Sequence, residues 1–207
     1  MTTTHQKSRR PGTRPADRIA RWITEGLSPA ILSATTVVIV GATSGASAWT
    51  GVGWALVVLL FVCLIPYLVI VVGVRRGRYT DHHLRDVRQR PAPLAFGLVS
   101  AAVGLLLVDL GGGPRSLIAL VAASVAGFAV LVAVSLRWKM SVHSGVAAGG
   151  TAIVGIIGGA VAWLVGLVVV GSVAWSRVRL RDHTVAQVVV GAVVGAIVAG
   201  TVFGFLK

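Results

Sequence analysis

Charged residues, and acidic residues above all, are scarce in this 207-residue chain. Only 12% of its residues are charged and only 6 are Asp or Glu, whereas 56% are hydrophobic and the mean hydropathy is +0.88. An ordinary soluble domain has about 25% charged residues, so this scarcity of charge excludes a soluble domain of average composition. A single cysteine, Cys63, excludes a disulfide framework and a metal site built from several thiolates. The composition predicts an integral membrane protein.

The chain has several long apolar runs. Each can cross most or all of a bilayer core about 30 Å thick at ~1.5 Å per residue, although the fifth and sixth runs are short. They cover residues 27–49, 52–74, 93–108, 116–136, 144–159, 160–175 and 184–206. A backbone in lipid must satisfy its own hydrogen bonds, and these runs exceed the ~10 residues of a barrel strand. We therefore predict an all-α, polytopic transmembrane bundle of six to seven spans. The Gly158–Gly159 pair predicts a tight hairpin between the fifth and sixth.

Residues 1–26 are a basic segment that precedes a single transmembrane domain, 27–207. Six Lys and Arg residues and the absence of apolar periodicity before Ile19 predict a disordered tail that passes into a short interfacial helix around 16–25. The apolar run that ends near Ala48 resembles a signal peptide, but both its basic and its apolar parts are too long for one. We expect it to stay in the protein as the first span.

The positive charges lie almost entirely on one side of the predicted bundle. With seven spans, the tail and the loops 75–92, 137–143 and 176–183 share a side that holds 17 of the 19 Lys and Arg residues. The positive-inside rule places this side, with the N-terminus, in the cytoplasm, and we expect the cell membrane as the location. In a soluble chain a net charge of +13 would suggest nucleic acid. Here topology explains the charge, and no nucleic-acid partner is expected.

The polar residues that can carry chemistry lie in the three basic loops. In the third loop, Ser176 and Arg177 are followed, after five residues, by His183 and then by Gln187. This pattern resembles the SRxxxxxHxxxD motif of the type 2 phosphatidic acid phosphatase superfamily, the membrane lipid phosphatases.

The other two loops resemble the remaining motifs of that superfamily in the same order. Ser141-Val142-His143 is similar to its PSGH motif, and Arg90-Pro91 is similar to the end of its KxxxxxxRP motif, with His83 at the lysine position. The three partial motifs cover residues 83–187, about half of the chain.

The resemblance implies a phosphatase for a lipid phosphate or a prenyl diphosphate that uses no metal and no cofactor. It implies that His183 is the nucleophile, which forms a phosphohistidine, and that His143 protonates the leaving oxygen and later activates water. Histidine suits both roles because it exchanges protons near neutral pH. By the same resemblance the phosphoryl oxygens are bound by Arg177 and Arg90, with Ser141 and Ser176 as neutral donors.

Two departures from the family pattern affect the expected chemistry. Gln187 replaces the aspartate that orients the nucleophile; at i+4 its amide oxygen still reaches the imidazole, but it supplies no charge. His83 replaces a lysine, so Lys139, Arg85 or Arg88 could supply the missing cation. Ser141 and Asp182 also have the sequence pattern of N-caps for the helices that follow them.

Two other functions are consistent with the sequence. A relative with weak or no turnover would keep the pocket and bind or transport an anionic lipid, which the departures at Gln187 and His83 favour. A prenyltransferase would hold Mg²⁺ on the loop carboxylates Asp81 and Asp86, but the loop offers few of them. GxxxG pairs along several spans predict close helix packing within the chain, and they also allow a homo-oligomer.

Overall fold

The computed structural model describes residues 14–44, 47–80, 86–89 and 91–207, and the secondary structure in these ranges is entirely helical. The predicted disordered tail lies mostly outside them. The helices are α1 (Pro15–Gly26), α2 (Pro29–Ser44), α3 (Ala48–Val58), α4 (Ile65–Arg75), α5 (Pro91–Leu110), α6 (Arg115–Ser135), α7 (Val142–Arg179) and α8 (Val185–Leu206). A π-helical segment, Leu59–Leu64, joins α3 to α4, and Val87–Gln89 is a short 3₁₀ helix.

Helices α3 and α4 form one continuous rod with a widened turn in its middle. Proline at position 66 has no N–H, and its ring would collide with a carbonyl one turn earlier in a regular helix. The π-helical turn before it avoids this conflict, and the Ile65 N–H bonds to the carbonyl of Leu60, five residues back. The rod begins earlier than predicted, because the Ser47 side chain caps it by accepting a bond from the Thr50 N–H at 3.2 Å.

Helix α7 is a helical hairpin rather than a straight rod. Gly159 has φ 68° and ψ −155°, a backbone conformation that only glycine adopts easily. Beyond this turn the chain runs back along itself, so that Gly166 lies against the side chain of Thr151 and Gly155 lies against Trp163. In a straight helix Thr151 and Gly166 would be about 22 Å apart at 1.5 Å per residue. The predicted hairpin at Gly158–Gly159 is confirmed.

Five helices in the described ranges are long and apolar enough to cross a membrane, and the α1–α2 pair, bent by 47°, brings the number to six. Val142–Arg179 counts once in that number, although its arms, 142–158 and 160–179, run in opposite directions. When the arms are counted separately, the segments match the seven runs of the sequence. The helices identify an integral membrane protein with an all-α bundle.

Contacts at both ends of the bundle place the loops on two sides. At one end Lys139 Nζ donates to the carbonyl of Asp182 at 2.9 Å, which joins the loop before α7 to the loop after it. At the other end Arg115 Nε donates to the carbonyl of Leu206 at 2.9 Å. Twelve of the fourteen Lys and Arg residues in the described ranges lie at the first end, called here the basic end. The structure thus groups most of these charges at one end of the bundle.

The closest helix contact is the seam between α8 and the first arm of α7. A Cβ on Gly191 would lie 2.6 Å from the carbonyl oxygen of Ser141, and a Cβ on Gly195 would collide with the backbone of Gly145. Glycine at these positions lets the two backbones touch, as the GxxxG pattern predicts. The seam fixes the start of α7 against the start of α8, where the second and third motifs lie.

Candidate functional site

The second and third motifs meet at the basic end of the α7–α8 seam. The Ser141 N–H donates to the carbonyl of Gln187 at 3.2 Å, and Lys139 holds the Asp182 carbonyl on the other side of the loop. Residues 46 positions apart in the sequence are therefore joined by direct hydrogen bonds. His143 and His183 are both buried within this junction.

The turn that ends α7 determines where Arg177 and Asp182 lie. The N–H of Asp182 donates to the carbonyl of Arg177, and the N–H of Arg181 donates to that of Val178, which is the bonding pattern of a Schellman motif. The motif requires a left-handed residue before Asp182, and Arg181 provides it with φ 58°. The turn brings the carboxylate of Asp182 back to its partner, with Arg177 Nη2 and Asp182 Oδ2 3.1 Å apart.

Arg177 is a buried cation with its counter-charge beside it. Its side chain is only 2% exposed, while that of Asp182 is 12% exposed. A buried charge is costly unless it is paired, so the carboxylate stabilises the guanidinium in this position. Asp182 is thus the partner of Arg177, and the prediction that it caps the following helix is wrong.

The N-cap of α8 is Thr184, which forms a capping box with Gln187. The Gln187 N–H donates to Thr184 Oγ1 at 3.3 Å, and the Thr184 N–H donates to Gln187 Oε1 at 3.2 Å. The T-x-x-Q pattern of residues 184–187 is the sequence signal for such a box. Gln187 therefore has a structural role as well as the role predicted for it.

Gln187 Oε1 also contacts the imidazole of His183, whose Nδ1 lies 3.1 Å away. A backbone N–H can only donate, so the Gln187 atom that meets the Thr184 N–H must be the amide oxygen. An oxygen accepts, so Nδ1 of His183 carries the hydrogen. The lone pair of the neutral ring is then on Nε2.

The start of α7 holds the second motif. Ser141 is its N-cap, as predicted, and its Oγ accepts bonds from the N–H of Ser144 at 3.4 Å and from the Ser144 hydroxyl at 3.1 Å. His143 lies in the first turn of the helix, where the helix dipole favours an anion. The local electrostatics suit a phosphoryl group next to this histidine.

Ser176 is turned toward other protein groups. Its hydroxyl donates to the carbonyl of Val173 at 2.8 Å and accepts from the hydroxyl of Thr24 at 3.1 Å. A hydroxyl has one hydrogen, so in this conformation Ser176 does not supply the phosphate donor that the resemblance implies. Instead it anchors α1, which was not predicted, since no sequence signal links positions 24 and 176.

An apolar cavity of about 330 Å³ extends from the site into the bundle. His143 lies in its wall with Met140 and Gly191 at the basic end, and Glu25 lines it from the end of α1. Deeper in the bundle the walls are side chains such as Leu120, Phe128 and Val198. The cavity thus links a histidine of the site to an apolar space within the bundle.

The structure does not describe all of the predicted site residues. His83 and Arg90, and the alternative cation Arg85, lie outside the described residues. Lys139 lies at the site through its bond to Asp182, whereas Arg88 is exposed. Of the carboxylates proposed for Mg²⁺, Asp81 is also outside, and no group of three His, Cys, Asp or Glu residues suited to a metal occurs in the described ranges.

Comparison of the chain with protein-family models, with curated proteins and with solved structures gives no match.

Proposed function

We propose that this protein is a metal-independent phosphatase that removes phosphate from a lipid phosphate or a prenyl diphosphate in the membrane. The observation that carries the proposal is the junction of the two loops, which brings a histidine with a defined tautomer, His183, together with the helix start that bears His143. The cavity beside His143 is suited to the apolar chain of such a substrate.

In the first step Nε2 of His183 attacks the phosphorus, and the bond from phosphorus to the leaving oxygen breaks. His143 in its protonated form gives its proton to that oxygen, so that an alcohol or a prenyl monophosphate leaves. The product on the protein is a phosphohistidine. In the second step His143 accepts a proton from water, the water oxygen attacks phosphorus, and inorganic phosphate is released with His183 restored.

Positive charge stabilises the oxygens of the transferring group in both steps. Arg177 is suited to this role because its carbonyl accepts the N–H of His183 at 3.3 Å and its guanidinium has five N–H donors arranged as a planar fork. Lys139 adds a second cation at the site through its position on the Asp182 carbonyl. The proposed phosphate site therefore uses residues from both loops.

A specific observation favours a second function, that of a lipid-binding protein with little turnover. Asp182 neutralises Arg177, and a carboxylate next to the site repels a phosphate. Gln187 gives His183 no negative charge to stabilise an imidazolium. An anionic lipid could then be bound without efficient hydrolysis.

Phosphate release from detergent-purified protein in EDTA tests the proposal. Phosphatidate, phosphatidylglycerol phosphate and prenyl diphosphates are the substrates, and His183→Ala, His143→Ala and Arg177→Gln are the variants. We expect release by the wild type and at least a hundredfold less, in order of magnitude, by each variant. Arg76→Gln removes an exposed arginine at the basic end and is the matched control, with unchanged release expected. Equal release by the wild type and His183→Ala would refute the proposal; lipid binding without release would establish the second function.

A further inference from the structure

Helix α1 packs against the bundle through a face of small side chains. Ala20 and Thr24 are fully buried on this face. Thr24 bonds to Ser176, and Asp17 Oδ1 pairs with Arg179 Nε at 2.9 Å. Both contacts are to the last turn of α7, which also contains Arg177.

A second face of α1 is apolar and points away from the protein. Trp22 is 77% exposed and Ile19 is 54% exposed. They line a shallow surface depression with Pro15 and Ile23, and Arg18 lies at its edge. An exposed tryptophan and isoleucine on one helix face are typical of a helix that lies at a membrane surface.

The third face is basic. Arg14, Arg18 and Arg21 are exposed and lie within about 60° of one another around the helix, at 100° per residue. Of the two acidic residues of α1, Asp17 is paired with Arg179, whereas Glu25 lies on the same side of the helix as the arginines. Three arginines against one glutamate leave this face with a net positive charge. The apolar and basic faces adjoin at Arg18 and Trp22, where a lipid would place its headgroup next to its chains.

We propose that α1 is a binding surface for anionic phospholipids of the leaflet at the basic end of the bundle. The 47° bend between α1 and α2 turns the helix away from the direction of the span, toward the plane of that surface. Three arginines beside an apolar face match a negatively charged headgroup layer, and each basic residue near such a layer strengthens binding about fivefold.

Lipid binding at α1 has a consequence for the site, and this part rests on the proposed function. Thr24 and Asp17 hold residues 176 and 179, on either side of Arg177. A bound lipid that keeps α1 in place therefore keeps the last turn of α7 in place. Phosphate release should then be faster in anionic membranes than in zwitterionic ones.

Hydrogen exchange of the full chain in nanodiscs tests the proposal. The discs contain phosphatidylcholine alone or phosphatidylcholine mixed with phosphatidylglycerol, and the measured segment is Pro15–Gly26. For the wild type we expect at least about fivefold slower exchange in the anionic discs. Arg18→Gln with Arg21→Gln leaves only Arg14 on this face and should reduce the difference at least about fivefold. Arg76→Gln with Arg78→Gln removes the same charge from exposed positions at the same end and should retain it.

Equal exchange of the wild-type segment in the two kinds of disc would overturn the proposal, and so would a difference of wild-type size in the Arg18/Arg21 variant. The comparison of wild-type exchange in the two kinds of disc tests the proposal without any variant, so a variant that folds poorly does not obscure the result. Hydrogen exchange does not depend on phosphatase activity. A protein whose exchange depends on the lipid but which releases no phosphate would refute the proposed phosphatase function and leave the lipid-binding surface supported.

Discussion

Nδ1 of His183 lies 3.1 Å from Oε1 of Gln187, and the same oxygen accepts the N–H of Thr184 at 3.2 Å. One amide oxygen thus holds the start of α8 and defines the tautomer of the histidine. The capping box determines the tautomer of His183. The Thr184 N–H must bond to the oxygen of the Gln187 amide, so the same oxygen faces the imidazole. Helix capping and the proposed nucleophile therefore depend on the same side chain.

Gln187→Glu tests this dual role. Glutamate retains the capping box and the contact to Nδ1, and it adds a negative charge that stabilises the imidazolium. We expect kcat to rise by roughly tenfold, as about 1.4 kcal/mol of extra stabilisation would give. Gln187→Leu loses both bonds and should lower kcat by at least a similar factor. A Gln187→Leu protein with wild-type kcat would show that the contact has no part in turnover.

Arg181→Gly is expected to stabilise the protein. Arg181 has φ 58°, and glycine adopts this conformation without the steric cost of a side chain. The gain should be about 1 kcal/mol, seen as a higher midpoint of thermal unfolding in detergent. Arg179→Gly, in the helix two residues earlier, is the comparison and should destabilise. A lower midpoint for Arg181→Gly would contradict the turn described here.

Gly191→Ala should damage the site through the seam. Its Cβ would lie 2.6 Å from the Ser141 carbonyl, so α8 must move away from the start of α7. Overpacking of this kind costs about 1–3 kcal/mol, and we expect phosphate release to fall with it. Gly171→Ala is the matched control, because a Cβ there meets nothing within 4 Å. If both variants release phosphate at the wild-type rate, the close approach of the helices is not needed for the site.

Cysteine labelling in intact cells tests the sidedness. In a Cys63→Ala background, Arg78→Cys lies at the basic end and Lys207→Cys at the opposite end. The positive-inside rule predicts that an impermeant maleimide labels position 207 and leaves position 78 unlabelled. Labelling of position 78 alone would place the basic end outside the cell.

The sequence predicts those features that depend on local patterns. The Gly158–Gly159 hairpin follows from a glycine pair in the middle of an apolar stretch that is too long for one span. The contact between His183 and Gln187 follows from i+4 spacing on a helix. The meeting of the second and third loops follows from an even number of spans between them.

Other features depend on backbone geometry or on distant residues, and the sequence does not signal them. Asp182 reaches Arg177 only because Arg181 adopts a left-handed conformation, and an arginine in the sequence does not predict this conformation. Thr24 reaches Ser176 from another helix. The position of Asp182 before a helix predicts a cap, but the cap is Thr184, two residues later, because Gln187 completes its capping box.

Trapping of the covalent intermediate tests the central claim most directly. The protein is mixed with a lipid phosphate labelled with ³²P, quenched within a turnover in base, and digested for mass mapping. We predict an acid-labile, base-stable phosphoryl group on His183 in the wild type and no label in His183→Ala. Phosphate release without any such label, or a label that persists in His183→Ala, would contradict the account.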